Sequence, residues 1–239
     1  MRVSGEELTA VIPVYNEQQL LAQYIPDSIK KLQQTYTGIK ILIIENGSTD
    51  LSQEMATKIA TELDIDFKHL DVASYGNAFR EGLSLVKTAY SIWFNADWID
   101  IDFVEDALLK LEAEQKVDIV IGCKSHKESS DKRPFYRKIL SIILTKLMNR
   151  SMGYSGGDTH GIKMFRMSDT LLNLIKSTTQ NELVESELLI QAQKAKLVLS
   201  EIPIKLEEIR SPRVNIVKRA KEDLKEIKSI KWKQYQNKK

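Results

Sequence analysis

Short apolar runs alternate with longer amphipathic runs through the first half of this 239-residue chain. The short runs predict buried strands, and the longer runs have apolar residues at helical spacing. Strands that alternate with helices of this length indicate βαβ units and a parallel sheet covered on both faces. We therefore expect an α/β fold, in which a mostly parallel central sheet lies between two helical layers. The predicted strands are 9–14, 39–44, 66–72, 90–95 and 117–122, and the predicted helices are 18–34, 48–63 with Ser48 as its cap, 76–87 and 101–114.

The second half is less regular. It contains predicted helices at 134–149 and 183–196, predicted strands at 160–166 and 197–204, and a glycine-rich loop at 153–161 for which a flexible connection is the simplest interpretation. No linker or repeat interrupts residues 1–212, which we expect to form one domain. Residues 213–239 form a separate basic segment, predicted as an amphipathic helix. It has ten Lys/Arg and three Asp/Glu, whereas the whole chain has a net charge of only +2.

The composition is that of a soluble globular chain, with 42% hydrophobic and 28% charged residues. The single cysteine, Cys123, cannot form an internal disulfide, which fits a reducing compartment. The sequence does not open on a basic segment followed by a long apolar run, and no apolar stretch has the length that spans a bilayer. We therefore expect a cytoplasmic protein without a signal peptide or a membrane span.

Polar residues cluster where three predicted strands end, at 13–17, 45–50 and 95–97. Ligands bind at the carboxyl ends of the strands in open parallel sheets, so these clusters are the first candidates for a site. Each cluster alone also fits turns and helix caps, which Asn, Asp, Ser and Gly favour. The occurrence of all three together favours a binding site.

The loop after the first strand argues against three other classes of nucleotide-binding protein. A dehydrogenase would have Gly-x-Gly-x-x-Gly there, and a P-loop protein would contain a Walker A lysine motif. A nucleotidyltransferase would normally have a loop rich in glycine and basic residues. This chain has Pro-Val-Tyr-Asn-Glu at 13–17 instead, and it contains no Walker A motif.

Seven segments follow one another along residues 8–210. The early ones are 11–17 (Val-Ile-Pro-Val-Tyr-Asn-Glu), 45–50 (Glu-Asn-Gly-Ser-Thr-Asp), 76–82 and 95–97 (Asn-Ala-Asp), and the later ones are 122–124 (Gly-Cys-Lys), 158–163 (Asp-Thr-His-Gly-Ile-Lys) and 184–188 (Val-Glu-Ser-Glu-Leu). In this order they resemble the motifs of family 2 glycosyltransferases. The later segments are most similar to the polyprenyl-phosphate branch, the dolichol-phosphate mannosyltransferase group. The resemblance implies a Rossmann-like GT-A fold. It also implies inverting transfer of a sugar from GDP-mannose or a UDP-sugar to a polyprenyl or dolichyl phosphate.

The resemblance also implies roles for individual residues. Asp97 and Asn95 would ligate a divalent cation, Mg²⁺ or Mn²⁺, that bridges the donor diphosphate. Lys124 and Arg210 would bring positive charge to the phosphates, with Arg213 as the alternative to Arg210. The nucleotide would be bound by Pro13, Tyr15, Asn16, Glu17, Glu45, Asn46, Ser48, Gly76, Arg80 and Ala96.

Asn95 departs from the family pattern, which usually has aspartate at this position. An amide oxygen still ligates a hard cation, but it has no charge, so we expect weaker metal binding. Asp100 and Asp102 are near enough in sequence to compensate, and they equally suit a cap of the next helix. The departure keeps a second hypothesis open, in which the chain is a non-catalytic subunit that binds nucleotide sugars.

The class of acceptor depends on a general base. A hydroxyl acceptor needs a base to remove its proton, whereas a lipid phosphate is already ionised at neutral pH. Glu182, Glu185 and Glu187 are the carboxylates at the start of the late helix, in a pattern that resembles the lipid-phosphate branch. Glu185 and Glu187 also fit solvated or salt-bridged positions of a helix. Transfer to a sugar hydroxyl of a glycan is therefore the alternative reaction.

A lipid acceptor requires contact with a membrane. The basic segment 213–239 and the apolar side chains of the predicted helix 134–149 are candidates for peripheral binding at the cytoplasmic face. The alternative is that the apolar stripe of the terminal segment packs on the domain. No aromatic platform or known binding motif accompanies the basic residues, so we do not expect nucleic acid as a partner.

Overall fold

A computed structural model of the chain describes residues 5–131, 153–159 and 161–206, together with Lys138, Ile139, Ile143, Lys146 and Arg150. The basic segment 213–239 and most of the predicted helix 134–149 lie outside these residues. Over the described part, seven strands form one mixed sheet, which has helices on both faces. The predicted three-layer α/β/α architecture is confirmed.

The strands and helices follow one another in nearly the predicted order, after a 3₁₀ turn at Gly5–Glu7. The strands are β1 (Leu8–Val14), β2 (Lys40–Asn46), β3 (Asp66–Leu70), β4 (Tyr90–Trp93), β5 (Val117–Cys123), β6 (Ser130–Asp131), β7 (Lys163–Arg166), β8 (Val198–Pro203) and β9 (Lys205–Leu206). The helices are α1 (Gln18–Leu21), α2 (Tyr24–Thr35), α3 (Ser52–Leu63), α4 (Tyr75–Ser84), α5 (Ile101–Ala113), α6 (Asp169–Ser177) and α7 (Val184–Lys194).

The strand order across the sheet is β3-β2-β1-β4-β7-β5-β8. Strands β3, β2, β1 and β4 lie side by side and are all parallel, and β5 is parallel to β8. Strand β7 lies between β4 and β5 and is antiparallel to both. Because of this reversal, the segment that leads into β7 lies at the sheet edge where β4 and β5 end. Strands β6 and β9 form a separate parallel pair.

Each face of the sheet has its own apolar core. Successive residues of β1 alternate between them, so that Ile12 belongs to one core and Val11 to the other. Strands that are covered on both faces account for the continuous apolar runs in the sequence. The first core includes Leu21 of α1, Ile29 of α2, Ile59 of α3 and Val104 of α5, and the second includes Phe79 of α4, Ile175 of α6 and Leu188 of α7.

The predicted helix at 18–34 is in fact two helices. Helix α1 ends at Leu21 and α2 begins at Tyr24, because Gln23 leaves the helical region with φ −150° and ψ −57°. Pro26 then lies in the first turn of α2. Its missing N–H costs no hydrogen bond there, because the first turn of a helix has no intrahelical acceptors for these groups.

Helix α3 begins at Ser52, later than predicted. The prediction that Ser48 caps this helix is wrong, because the Ser48 hydroxyl instead accepts a hydrogen bond from the N–H of Asn16 at 2.9 Å. Helix α6 was not predicted. Its start has a recognisable signal, since the Ser168 hydroxyl caps it by accepting from the N–H of Leu171 at 3.2 Å.

Gly76 lies where α4 meets the loop before α7. A Cβ at this position would be 2.3 Å from the carbonyl carbon of Gln180 and 2.6 Å from the carbonyl oxygen of Asn181. We expect Gly76→Ala to lower the free energy of unfolding by about 1–3 kcal/mol, because backbone atoms must move to admit the methyl group. Urea denaturation would measure this, with Ser84→Ala at the end of the same helix as the control. Equal stability of Gly76→Ala and the unsubstituted chain would contradict the prediction.

Candidate active site

The predicted strand-end clusters meet at one edge of the sheet. Strand β1 pairs in parallel with β2 on one side and β4 on the other. The N–H of Phe94 extends the second pairing, since it donates to the carbonyl of Val11 at 3.0 Å. The segments 13–17, 45–48 and 95–97 therefore leave three adjacent strands at the same edge, as the sequence predicts.

Asn16 joins the first of these segments to the second. It has a positive φ of 53°, a conformation that asparagine adopts more readily than most residues. Its N–H donates to the Ser48 hydroxyl at 2.9 Å, and its side-chain oxygen accepts from the N–H of Thr49 at 2.8 Å. Asn16 and Ser48 thus fix the shape of the two loops. Their direct contact with a nucleotide stays a prediction.

Glu45 is fully buried and anchors the second segment. One carboxylate oxygen accepts from the N–H of Ser48 at 2.7 Å, and the other lies 2.5 Å from Nδ1 of His69. Asn46 likewise accepts from the N–H of Ser74, at 2.9 Å. Both side chains hold loops in place, and their contact with the base or ribose stays a prediction. The sequence did not indicate His69, which becomes a neighbour of Glu45 only through the register of β2 with β3.

Pro13, Tyr15 and Glu17 differ in how much surface they offer to a nucleoside. The Tyr15 side chain is 44% exposed, whereas Pro13 is half-buried and Glu17 is buried. The N–H of Glu17 donates to the hydroxyl of Ser52 at 2.7 Å, which fixes the end of this loop to α3. Tyr15 therefore has the most exposed side chain of the three, and the contact of all three residues with a nucleoside stays a prediction.

The segment 95–97 makes a tight turn after β4. The N–H of Trp98 donates to the carbonyl of Asn95 at 2.9 Å, and these two residues form an isolated β-bridge. Asn95 and Asp97 are half-buried, and Ala96 between them is buried. The turn thus brings two oxygen-bearing side chains to the sheet edge, of the type that Mg²⁺ and Mn²⁺ prefer.

The binding of a cation by Asp97 and Asn95 stays a prediction. In the part of the chain that the structure describes, no group of three or more His, Cys, Asp or Glu side chains could hold a metal ion. A cation held by Asp97 and Asn95 would therefore need further ligands, such as the substrate phosphates that commonly supply them to Mg²⁺. Of the two acids that could compensate for Asn95, Asp100 caps α5 by accepting from the N–H of Phe103 at 3.1 Å. Burial raises the pKa of Asp100, and Asp102 is exposed in the first turn of α5.

The chain that follows Asp97 is held by α2. The Tyr24 hydroxyl accepts from the N–H of Ile99 at 2.9 Å. Burial raises the pKa of Tyr24, and the negative charge of Asp97 adds to the shift. A cleft of about 480 Å³ lies beside this segment, and its lining includes Tyr24, Trp98, Asp102, Glu128, Pro203 and Lys205.

Lys124 is paired with Asp158 of the glycine-rich loop. Its Nζ lies 3.1 Å from the carboxylate, which also accepts from the backbone N–H of Lys124 at 3.2 Å. The loop itself is anchored, since the N–H of Gly157 donates to Glu201 at 2.5 Å and the Tyr154 hydroxyl donates to the carbonyl of Asp158 at 2.7 Å. The interpretation of this loop as a flexible connection is therefore wrong, because these bonds attach it to β8 and to Lys124.

Strand register brings Lys124 to the same edge as the 95–97 turn. In the middle of the sheet, Lys163 of β7 lies opposite Trp93 of β4 on one side and Ile121 of β5 on the other. The turn after β4, the residues after β5 and the residues before β7 therefore leave the sheet together. The predicted cation ligands and the predicted phosphate-binding lysine thus lie at the same edge of the sheet, and their joint contact with a diphosphate stays a prediction.

Glu185 and Glu187 at the start of α7 are buried. Glu185 accepts from Nζ of Lys163 and from the Tyr75 hydroxyl. Glu187 accepts from both the N–H and the hydroxyl of Thr179, each at 2.7 Å. Burial, followed by the charge of Glu185, raises the pKa of Tyr75 well above its usual value, so that its hydroxyl stays protonated and donates. The interpretation that Glu185 is salt-bridged is correct, because it pairs with Lys163. The interpretation that Glu185 and Glu187 are solvated is wrong, because both side chains are buried.

Arg80 and Gly76, which were also predicted to bind the nucleotide, connect α4 to the second half of the chain. Arg80 donates to the carbonyl of Lys176 near the end of α6, at 2.9 Å. Gly76 approaches the backbone of residues 180–181. Their contacts with a nucleotide stay predictions. Arg210 and its alternative, Arg213, lie outside the described residues.

A known protein family matches the part of the chain that contains all of the motif segments except 184–188. The family described as Glycosyl transferase family 2 matches residues 9–171, which is more than half of the chain. The chain belongs to this family. As a family 2 glycosyltransferase, it is 26% identical over 224 residues to the dolichyl-phosphate beta-glucosyltransferase of Saccharomyces cerevisiae, covering 84% of this chain and 67% of the yeast protein. It is 29% identical over 156 residues to an undecaprenyl-phosphate 4-deoxy-4-formamido-L-arabinose transferase of Salmonella choleraesuis, covering 64% of this chain and 46% of that protein.

Solved structures of other glycosyltransferases share the fold. The mannosyl-3-phosphoglycerate synthase from Rubrobacter xylanophilus superimposes with a TM-score of 0.71 and 16% identity over 96% of this chain and 75% of that one. The glucosyl-3-phosphoglycerate synthase from Mycobacterium tuberculosis was solved with Mn²⁺, UDP and glucosyl-3-phosphoglycerate. It superimposes with a TM-score of 0.66 and 16% identity, over 93% of this chain and 77% of that one. The predicted GT-A fold is confirmed.

Proposed function

We propose that this glycosyltransferase transfers a sugar, with inversion, from a nucleoside diphosphate sugar to a polyprenyl phosphate. The observation that carries the proposal is the burial of Glu185 and Glu187 at the start of α7, where a general base would be expected. The two curated relatives support it, because their names specify dolichyl-phosphate and undecaprenyl-phosphate transfer.

The burial of these carboxylates bears on the acceptor because a hydroxyl must lose its proton during attack. A base for that step has to reach the hydroxyl within hydrogen-bonding distance. Glu185 and Glu187 are only 2% and 4% exposed, and both accept hydrogen bonds from neighbouring protein groups. A phosphate oxygen is already ionised near neutral pH and attacks without a base. The start of α7 therefore suits a phosphate acceptor.

The nucleotide end of the donor would lie across the ends of β1, β2 and β4. Tyr15 would stack on the base, and Asp97 with Asn95 would hold a divalent cation, Mg²⁺ or Mn²⁺, against the diphosphate. When bound, that cation stabilises the charge that develops on the leaving nucleoside diphosphate. The presence of Mn²⁺ and UDP in the M. tuberculosis structure supports this choice of ligands.

Lys124 would supply a second positive charge at the phosphates. It lies at the same sheet edge as the 95–97 turn, and its pairing with Asp158 keeps its side chain in one place. An ammonium group has three N–H donors, so a bond to Asp158 is compatible with a further bond to a phosphate oxygen. A fixed cation of this kind stabilises charge in the transition state without reorganising during the reaction.

Transfer to a sugar hydroxyl is the second candidate reaction, and Glu182 is the observation that favours it. This residue precedes α7 and is half-buried rather than buried. Its negative charge raises the pKa of Tyr75, which places the carboxylate near the buried network. Glu182 is therefore less buried than Glu185 and Glu187, and in this second candidate reaction it would act as the base.

A transfer assay distinguishes these functions. The purified full chain would be given radiolabelled UDP-glucose or GDP-mannose with Mn²⁺ and a short polyprenyl phosphate, and we expect labelled product in the organic phase. The free polyprenol and a soluble sugar serve as matched hydroxyl acceptors. Faster transfer to either hydroxyl would overturn the phosphate acceptor. Nucleotide binding without any transfer would support the non-catalytic subunit.

We further propose that the protein binds peripherally to the cytoplasmic face of a membrane. In the residues that the structure describes, no helix is long and apolar enough to cross a bilayer. Ile139 and Ile143 are 41% and 56% exposed, and Lys146 and Arg150 are exposed as well. All four residues are helical, and their spacing of four, three and four residues would put them on one face if they belong to the same helix, which is part of the proposal. A face with apolar and basic side chains suits anionic lipid headgroups.

The double substitution Ile139→Asp/Ile143→Asp is expected to weaken binding to phosphatidylcholine–phosphatidylglycerol vesicles by about tenfold or more, because it removes two apolar side chains that would enter the interface. Vesicle sedimentation measures the change. Leu109→Asp is the matched control, since Leu109 is 50% exposed on α5. Equal binding of both variants and the unsubstituted chain would contradict the membrane proposal.

A further inference from the structure

Lys163 and Glu185 form a buried ion pair within the sheet-edge region that contains the candidate active site. Lys163 is 0% exposed and Glu185 is 2% exposed. Lysine and glutamate are almost never fully buried unless they are paired, because removing each charge from water is costly. A well-packed apolar pair of similar volume commonly stabilises a protein core at least as well. Stability alone therefore does not account for this pair.

The contacts of the pair show what it holds in place. Nζ of Lys163 also donates to the carbonyl of Gly161, at 2.7 Å. Glu185 accepts from the Tyr75 hydroxyl, which in turn accepts from Nε1 of Trp93 at 3.1 Å. A continuous chain of hydrogen bonds thus runs from Gly161, before β7, to Trp93, at the end of β4. It passes through α7 and the first residue of α4.

Both ends of this network lie next to residues of the candidate active site. Trp93 is the last residue of β4, and the turn that contains Asn95 and Asp97 follows directly. Gly161 lies beside Lys124, because a Cβ on Gly161 would be 3.4 Å from the lysine Nζ. The network therefore connects the strand that presents the cation ligands to the loop beside the phosphate-binding lysine.

We propose that Lys163 and Glu185 are positioning residues, which set the loop at Gly161 and Lys124 against the 95–97 turn so that both reach the donor diphosphate together. This inference rests on the proposed donor site, and it gives Glu185 a role other than that of a base. Neither residue touches the substrate. Their effect is on the alignment of groups that stabilise the transition state, so their loss affects kcat more than the KM for the donor.

The test is a charge-free replacement of the pair, Lys163→Met/Glu185→Gln. Methionine removes the bond to Gly161, and the glutamine oxygen still accepts from Tyr75, so neither substitution leaves a buried charge. We expect kcat to fall about 10-fold to 100-fold, since misplacement of catalytic groups by about 1 Å has effects of this size. The donor KM is expected to rise by a smaller factor than kcat falls, because the same misalignment also weakens the Mn²⁺-dependent part of donor binding. Glu187→Gln is the matched control, because Glu187 lies on the same helix, is similarly buried and, among the residues that the structure describes, bonds to Thr179 and Gln191 of the second half of the chain. A loss of kcat no larger than that of Glu187→Gln would overturn the proposal.

A binding measurement separates this proposal from the proposed function. Calorimetric titration with UDP and with GDP, in the presence and absence of Mn²⁺, needs no acceptor. In the unsubstituted chain Mn²⁺ should tighten nucleotide binding, and in the double variant this gain should shrink while binding without Mn²⁺ is unchanged. If the unsubstituted chain shows this gain but does not glycosylate polyprenyl phosphate, the proposed acceptor fails and the positioning role stands. An equal Mn²⁺ gain in both proteins overturns the positioning role, and the absence of nucleotide binding overturns both proposals.

Discussion

Asp97→Asn is expected to lower kcat with a nucleotide sugar by about 10²-fold to 10³-fold, the size of effect seen when one preorganised electrostatic group is removed from an active site. Asp97 has the only carboxylate in the 95–97 turn, because the other ligand position is Asn95. With two amides, the turn would offer the cation no negative charge. Initial rates at saturating donor over a titration of Mn²⁺ would measure the loss.

Two companion variants make this result specific. Glu105→Gln removes an exposed acid from α5, and kcat should stay within about twofold of the unsubstituted chain. Asn95→Asp restores the carboxylate that the family usually has, and it should lower the Mn²⁺ concentration needed for half-maximal activity. A rate for Asp97→Asn as high as that of Glu105→Gln would show that the 95–97 turn does not hold the cation.

Lys163→Met alone is expected to lower the free energy of unfolding by about 3–5 kcal/mol, because it leaves the charge of Glu185 buried without its ionic partner. Stabilities of whole domains are about 5–15 kcal/mol, so this one substitution would remove a large part of the total. Urea denaturation followed by circular dichroism measures the difference. The effect concerns folding, and it is separate from the effect of the pair on kcat.

The double variant and an exposed pair provide the comparison. Lys163→Met/Glu185→Gln should recover most of the lost stability, because no unpaired charge remains in the core. Lys58→Met breaks the pair of Lys58 with Glu62, whose side chains are 75% and 59% exposed, and it should cost less than about 1 kcal/mol. Similar losses for Lys163→Met and Lys58→Met would mean that the buried carboxylate is neutral or hydrated.

Strands such as β1, β2 and β5 could be predicted from the sequence because each contains a local apolar run. The predicted strand at 9–14 became Leu8–Val14, and 117–122 became Val117–Cys123. Helices were harder, since their ends depend on single residues. The break at Gln23 was missed although Pro26, which suits the first turn of a helix, indicates the start of α2. The two-residue strands β6 and β9 are too short to show a period.

The candidate site was predicted in outline for a similar reason. Residues at strand ends are found locally, and the parallel sheet brings them to one edge, so 13–17, 45–50 and 95–97 were expected to meet. The partners that hold them come from distant parts of the chain. His69 reaches Glu45, Asp158 reaches Lys124, and Lys163 reaches Glu185 only through strand register and packing. The sequence marks each residue type, but only the folded chain determines which ones pair.

The reversed strand β7 limits how this protein could be divided or recombined. A piece that ended after β5 would retain the 95–97 turn, but it would lose the strand that fills the space between β4 and β5. Each of those strands would then have an unpaired edge, which favours aggregation over independent folding. The parts of the chain before and after the end of β5 are therefore not separable modules. To transfer the acceptor preference of one relative to another, the loops at the sheet edge would have to be replaced while β7 is kept.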